Sequence, residues 1–274
     1  MEKRNTHAQL APGRISRGRV FADLIKYILF MTLLVFLMAK GTSTLGYNWQ
    51  WYRIPKYLFT ITDAGFFAGP LLKGLMVTFR ITGVSLVLAF AIGLVTVLLR
   101  LSSSFSARAL ARAYLELIRN TPLLIQLFLL YFVISPIVGI GAFTSAVLAL
   151  SLFEGAYISE IFRSGIESIS KGQWEASLSS GLSTFEAYRF VILPQAIRRI
   201  LPPLTSQAVS LIKDSALVST IAIYDLTMQG QSIVAETFLV FEVWFTVAAI
   251  YLVITISLST LVYEMEKHMK RTLA

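Results

Sequence analysis

Long uncharged runs alternate along this chain with short charged stretches. The clearest run, Val243 to Tyr263, holds 21 residues without a charge, and about 20 apolar residues suffice for one helical bilayer crossing. The same pattern predicts six crossings, at roughly 21–39, 75–99, 117–138, 142–162, 201–223 and 243–263. In the third, Asn120 and Thr121 are placed to cap a helix whose first turn accepts Pro122. Pro202 and Pro203 open the fifth, the least apolar. Between the fourth and fifth the pattern changes to charges, serines and glycines. Ser170 to Gln173 and Ser183 to Glu186 have the spacing of capping boxes. Gly181 falls where a left-handed helix terminus wants glycine. Trp174, Leu178 and Leu182 recur at i, i+4 and i+8 on one apolar face. The predicted element is a short helix, a sharp turn and a second helix running to Pro194. So short a helix is not stable alone. Its tryptophan face either docks a partner protein or packs back on the transmembrane bundle.

The basic residues orient the spans. The first 20 residues carry Lys3, Arg4, Arg14, Arg17 and Arg19, and the 100–119 connection carries Arg100, Arg108, Arg112 and Arg119. Arg163, Lys171, Arg189, Arg198 and Arg199 lie between the fourth and fifth spans, and Lys267, Lys270 and Arg271 follow the last span. On the opposite side, the 41–70 loop has only Arg53 and Lys56. Lysine and arginine in short loops stay cytoplasmic, so both termini and the 170–196 element are expected in the cytoplasm. The first span is the weakest. Its apolar part, Tyr27 to Ala39, has the length of a signal-peptide core. MAKGTSTLG lacks a small-x-small cleavage site, and Asp23 and Lys26 can pair at helical spacing. A retained anchor is the expectation, with a cleaved signal as the alternative.

Composition adds exclusions. Mean hydropathy is +0.71, charged residues make up 14% of the chain, and there is no cysteine. Disulfides, thiolate metal sites and cysteine nucleophiles are therefore absent. The net charge of +9 is explained by topology, so no nucleic-acid partner is expected. His7 and His268 lie in the tails, and no H-E-x-x-H occurs. No metal site or intramembrane enzyme is expected.

Glu175-Ala176-Ser177, Gly181, Val191 and Leu193-Pro194 resemble the EAA loop of ATP-binding-cassette importer permeases. That pattern is E-A-A, three residues, G, nine residues, I, one residue, L-P. Every spacing matches, with Ser177 for the second alanine and Val191 for isoleucine. ELIRNTPLLIQLFLLYF (Glu116–Phe132), GAYISEIFRSGIESISKGQWEA (Gly155–Ala176) and ILPQAIRRILPPL…SLIKDSALVSTI (Ile192–Ile221) look like the polar amino-acid subfamily, across roughly 70–265. The resemblance implies an all-α integral membrane protein of about six transmembrane helices. These are a five-helix type I importer core plus an extra N-terminal helix, with a cytoplasmic coupling helix between spans four and five. The resemblance leaves the N-terminal 65 residues outside it; together with the span pattern it divides the chain into a basic tail (1–20), an anchor (21–39), an external loop (40–69), a permease core (70–265) with its EAA loop at 170–196, and a tail (266–274). It further implies a bacterial inner-membrane permease working with a second permease chain, a cytosolic ATPase dimer and an external amino-acid-binding protein. Trp174, Glu175, Ala176, Leu178 and Gly181 are then the ATPase-coupling candidates. The chain has no ATPase of its own. Gly41–Gly46 has P-loop glycine spacing, but Tyr47 and Asn48 follow in place of lysine and Ser/Thr. ATP would be bound by the partner subunit, and no cofactor is expected here.

Polar residues inside the membrane mark a pathway or a pair. Ser206, Gln207, Ser210, Lys213 and Asp214 form a stripe on the fifth span. Lys213 and Asp214 point about 100° apart, so they cannot share one spot, and each either lines a pathway or pairs with a neighbouring helix. Glu154 in the fourth span either meets the ammonium of an amino acid or pairs within the bundle. Glu160 is expected to pair with Arg163, Gln126 to hydrogen-bond between helices, and Arg80 to snorkel. An ion-coupled secondary transporter or channel would also account for the spans and the stripe, but not for the EAA element.

Overall fold

A computed structural model describes residues 17–44, 46–63 and 65–271. Lys3, Arg4, His7 and Arg14 lie outside the described residues, as do the side chains of Arg17, Arg19, His268, Lys270 and Arg271. The chain forms two compact units, residues 1–49 and 50–274. The first holds one helix, α1 (Arg17–Thr44). Its stretch Asp23–Gly41 is apolar enough to cross a membrane, and none of it is buried. The expected Asp23–Lys26 pair is present at 3.4 Å.

In the second unit, a short 3-10 turn (Trp51–Arg53) and α2 (Pro55–Leu58) lead into an antiparallel hairpin of β1 (Phe59–Thr62) and β2 (Gly65–Ala68). Phe59 pairs with Ala68 and Ile61 with Phe66. These strands are the one departure from the all-α expectation, and they lie in the predicted external loop. Then follow α3 (Pro70–Leu101), α4 (Phe105–Arg119), α5 (Leu123–Phe128), α6 (Ser135–Val138), α7 (Ala142–Glu167), α8 (Lys171–Ser179), α9 (Thr184–Glu186), α10 (Leu193–Asp214), α11 (Leu226–Thr237) and α12 (Val240–Arg271).

Among the described residues, α1, α3, α7 and α12 are long and apolar enough to span. The bent pair of α4 with Leu123–Val138 makes a possible fifth. The segment expected as the fifth crossing is helical, as α10 and a 3-10 continuation over Ser215–Ile221. Its polar stripe leaves it less apolar than the other crossings.

The structure corrects three expectations. Pro194 does not end a helix, because it sits in the first turn of α10, and Pro202 and Pro203 do not start one, because they lie inside it. A π-helical stretch, Ala187–Ile192, immediately precedes the Leu193–Pro194 step, and a second, Leu129–Ile134, precedes Ser135–Pro136. Proline lacks the N–H for the i−4 carbonyl and crowds it, and a widened turn relieves both problems. The third correction concerns residues 105–119, expected as a loop up to a third crossing that starts near 117. They form α4, which meets the following helical segment at 104°. Asn120 and Thr121 close α4 rather than cap the next helix. The Asn120 amide donates to the Glu116 carbonyl and carboxylate, both at 2.8 Å, and the Thr121 hydroxyl donates to the Leu117 carbonyl. Pro122 is the cap residue of α5. Gln126 braces the bend by donating to the carbonyls of Ile118 (2.7 Å) and Thr121 (2.9 Å).

The centre is the α3–α7 pair, and its composition is that of a membrane interface. The buried positions of α3 include Gly74, Thr78, Ser85, Ala89, Gly93 and Thr96, while Phe79, Val87, Phe90 and Val95 face outward. Lipid gives no hydrophobic reason to hide large side chains, so close backbone approach and dispersion decide which face turns inward. The hydroxyls satisfy themselves locally. Thr82 donates to the Thr78 carbonyl at 2.8 Å, and Ser151 of α7 donates across to the Ser85 carbonyl at 3.2 Å. At the closest crossing, a Cβ on Gly93 would sit 2.6 Å from Ile158, and one on Gly155 would sit 2.8 Å from Ile92. Gly155→Val is therefore expected to lose about 1–3 kcal/mol through overpacking. Thermal unfolding in detergent checks this, and an unchanged midpoint would show that the crossing is not tight.

Four side-chain clusters fill the bundle, the smallest being Leu115, Ile118 and Ala156 between α4 and α7. Ile81, Leu127, Leu150, Leu211 and Ile221 form the middle. Ile54, Leu71, Leu226, Leu239 and Val243 form the end near the hairpin. There Glu242, fully buried, accepts from the Gln50 amide at 2.6 Å, and Asp225 caps α11 through the Met228 amide at 2.8 Å. Ala89, Ile158, Phe162, Ile192 and Ile200 form the opposite end, from which α8 emerges.

Candidate functional site: a coupling element and a buried polar cluster

The 170–196 element folds as a short helix, a turn and a second helix, with differences in detail. Ser170 is the cap residue of α8, but its side chain makes no capping bond. Gln173 instead accepts from the Gln195 amide at 3.0 Å, tying α8 to α10. Gly181 takes φ +83°, the left-handed conformation that favours glycine. The second capping box does form. The Glu186 amide donates to the Ser183 hydroxyl at 3.3 Å, and the Ser183 amide donates to the Glu186 carboxylate at 2.8 Å. The Ser183 hydroxyl and amide hold the Glu186 carboxyl below its usual range. This contact is therefore complete above the ordinary glutamate pKa and is lost as pH falls through the lowered value.

The apolar face of α8 splits in two. Trp174 is half-buried and packs back on the bundle with Ile169 and Ile192, its indole edge-on to Tyr188 with centroids 4.7 Å apart. Ser177 is buried beside it and donates to the Trp174 carbonyl at 2.8 Å. Glu175, Ala176, Leu178 and Gly181 are exposed, as are Phe185 and Phe190 on the second helix. The two phenylalanines did not stand out in the sequence, because they fall outside the i, i+4, i+8 spacing of the first helix. The element thus has an anchor turned inward and an apolar edge turned outward.

The polar stripe of α10 also divides. Ser206, Ser210 and Lys213 face a groove of about 350 Å³ against Ser259, Tyr263 and Glu266 of α12. Gln207 and Asp214, seven residues apart, turn toward α7. There Glu154 is fully buried. The Gln207 amide donates to one of its carboxyl oxygens at 2.6 Å, and Asp214 lies beside it. The Asp214 carboxyl is within hydrogen-bonding reach of the same group. Helical spacing put all five stripe residues together; which faced α7 and which α12 depended on the crossing of α10 with both.

The remaining polar residues fall near expectation. Glu160 pairs with Arg163 at 2.9 Å, and also with Arg100 at 2.7 Å and Arg119 at 3.1 Å. Arg80 lies over the Phe143 ring, 5.8 Å from its centroid. No group of three or more metal-ligating side chains occurs among the described residues.

Over residues 99–271 the chain matches the family described as binding-protein-dependent transport system inner membrane component. It is 40% identical over 203 residues to the glutamine transport system permease protein GlnP of Escherichia coli (strain K12), covering 73% of this chain and 93% of that protein. It is 38% identical over 203 residues to the nopaline transport system permease protein NocM of Agrobacterium fabrum (strain C58), covering 70% of this chain and 84% of the relative. A crystal structure of an amino acid ABC transporter with histidines superposes with a TM-score of 0.70 at 39% identity, over 73% of this chain and 94% of that one. The chain belongs to the family of binding-protein-dependent inner-membrane transport components, the permease subunits of ATP-binding-cassette importers.

Proposed function

We propose that this chain forms the membrane pathway of an importer for a polar amino acid, delivered by an external binding protein and driven by a cytosolic ATPase dimer. A second permease chain, identical or homologous, would complete the pathway. The observation that carries the reading is α8. It is too short to stand alone, is anchored by Trp174, and offers the exposed edge of Leu178, Phe185 and Phe190 beside the Gly181 turn. An ATPase surface is the partner this edge fits, with Glu175 and Ala176 on the exposed side of the same helix. A secondary transporter would have no use for it. The substrate class is supported by the buried polar cluster of Glu154, Gln207 and Asp214 and by relatives named for glutamine and nopaline. Ser206, Ser210 and Lys213 are assigned to the wall facing α12, on the same pathway.

The lysine and arginine distribution supports cytoplasmic termini and a cytoplasmic α8. Single cysteines test this in a chain that has none. An impermeant thiol reagent on intact cells is expected to label a cysteine at Tyr47 and to spare one at Trp174. The reverse pattern would overturn the orientation. For the mechanism, the reconstituted complex is expected to take up amino acid only with ATP and binding protein together. Uptake driven by an ion gradient alone would refute the reading.

A further inference from the structure

Where the ends of α3, α4 and α7 meet, five arginines and three glutamates line a cleft of about 290 Å³, with a net charge of +2. The cleft lies at the end of α7 from which α8 begins, so it shares the side of the membrane proposed above for the coupling helix. The charges inside it are unevenly matched. Glu160 holds Arg100, Arg119 and Arg163, and Glu167 also pairs with Arg163. The Glu116 carboxylate is taken by the Asn120 amide at 2.8 Å. Two positive charges remain. Arg108 uses one guanidinium nitrogen on neutral partners, the carbonyls of Ser102 and Ser103, both at 2.8 Å, and its charge is not paired among the described residues. Arg112 is exposed and forms no ion pair among the described residues.

The helix that carries both arginines has the form of an interfacial helix. α4 turns 104° from the segment Leu123–Val138. If that segment runs along the bilayer normal, α4 lies in the membrane plane. Arg108, Arg112 and Arg119 recur at i, i+4 and i+11, along one edge. Leu110 and Leu117 occupy the opposite edge and are 64% and 69% exposed. An apolar edge in hydrocarbon and a basic edge among headgroups is the arrangement of a helix seated at an anionic surface.

The geometry points to a phosphate site in this cleft, read by Arg108 and Arg112 and filled by the headgroup of an anionic phospholipid. Phosphate is the anion that guanidinium forks match in shape as well as charge. A lipid brings it at the depth where α4 lies, with its chains continuing toward the leucine edge. Free phosphate shares the chemistry but would not need that edge.

The test uses the assembled transporter in nanodiscs of phosphatidylglycerol or phosphatidylcholine, with native mass spectrometry counting retained lipid. Wild type is expected to retain phosphatidylglycerol preferentially. Arg112→Gln removes no internal ion pair, so folding should be spared, and the apparent affinity for that lipid should fall about tenfold. Arg112→Lys, which keeps the charge but not the fork, should recover only part of it. Equal retention by wild type and Arg112→Gln would overturn the proposal. So would thermal protection by inorganic phosphate in phosphatidylcholine discs equal to that given by phosphatidylglycerol, which would assign the cleft to a soluble anion. Neither readout involves transport, so failure here leaves the importer reading standing.

Discussion

Replacing Trp174 by alanine is expected to strip the ATPase from the purified complex while leaving the chain in the membrane. The indole fixes α8 by its contact with Tyr188 and by packing over Ile169 and Ile192. Full truncation of a buried aromatic costs about 3–5 kcal/mol. Trp174 is half-buried, so about 2 kcal/mol is the expected loss. A nine-residue helix has no reserve to absorb it. The apolar spans are untouched, so membrane abundance should stay near normal. Leu178→Ala is the informative companion. Leu178 is 49% exposed, so its removal should leave α8 folded and weaken docking alone. Hydrogen exchange across 171–182 separates the two, with protection lost in Trp174→Ala and kept in Leu178→Ala. Gly181→Asp should be milder than Trp174→Ala. A Cβ there meets nothing within 4 Å, so its cost is the positive φ alone, about 1–2 kcal/mol. Bound ATPase and full binding-protein-stimulated hydrolysis in both Trp174→Ala and Leu178→Ala would mean that α8 does not couple.

The parts of this architecture legible in the sequence are those written in local chemistry. Gly181 announced a left-handed turn because few other residues tolerate one, and Ser183 with Glu186 announced a helix start because their side chains reach only their own backbone. The Asp23–Lys26 and Glu160–Arg163 pairs followed from helical spacing in the same way. What escaped depended on neighbours. Pro194, Pro202 and Pro203 read as boundaries, yet the helix runs through them, with a π-helical stretch ahead of the first. α4 was hidden by its arginines, which look like a loop to a hydropathy scan. The signal was present all the same, since Ala107, Ala111, Tyr114, Leu115 and Ile118 recur every three or four residues on the inward side. Trp174 could not be assigned to bundle or partner, because Tyr188, the ring that holds it, lies 14 residues further along the chain. Glu154 and Gln207 are 53 residues apart, and no spacing rule joins them.

That pair gives the second large effect. Gln207→Leu removes the amide that donates at 2.6 Å to a fully buried carboxyl group, leaving it only the neighbouring Asp214 carboxyl. A hydrogen bond contributes about 0.5–1.5 kcal/mol, and stranding a buried acceptor adds a desolvation cost of about 1–3 kcal/mol. Membrane abundance of Gln207→Leu should therefore drop several-fold. Glu154→Gln has the opposite design. It keeps the shape and can still accept from Gln207, so abundance should hold. If Glu154 meets the ammonium group of the solute, removing its charge should cost at least tenfold in uptake, with ATPase docking intact. Coupled measurement of abundance, ATPase retention and uptake separates the roles. Normal uptake by Glu154→Gln at normal abundance would make the cluster a brace between α7 and α10. The solute would then have to be read elsewhere, and the groove of Ser206, Ser210 and Lys213 against α12 is the polar surface left on α10 to do it.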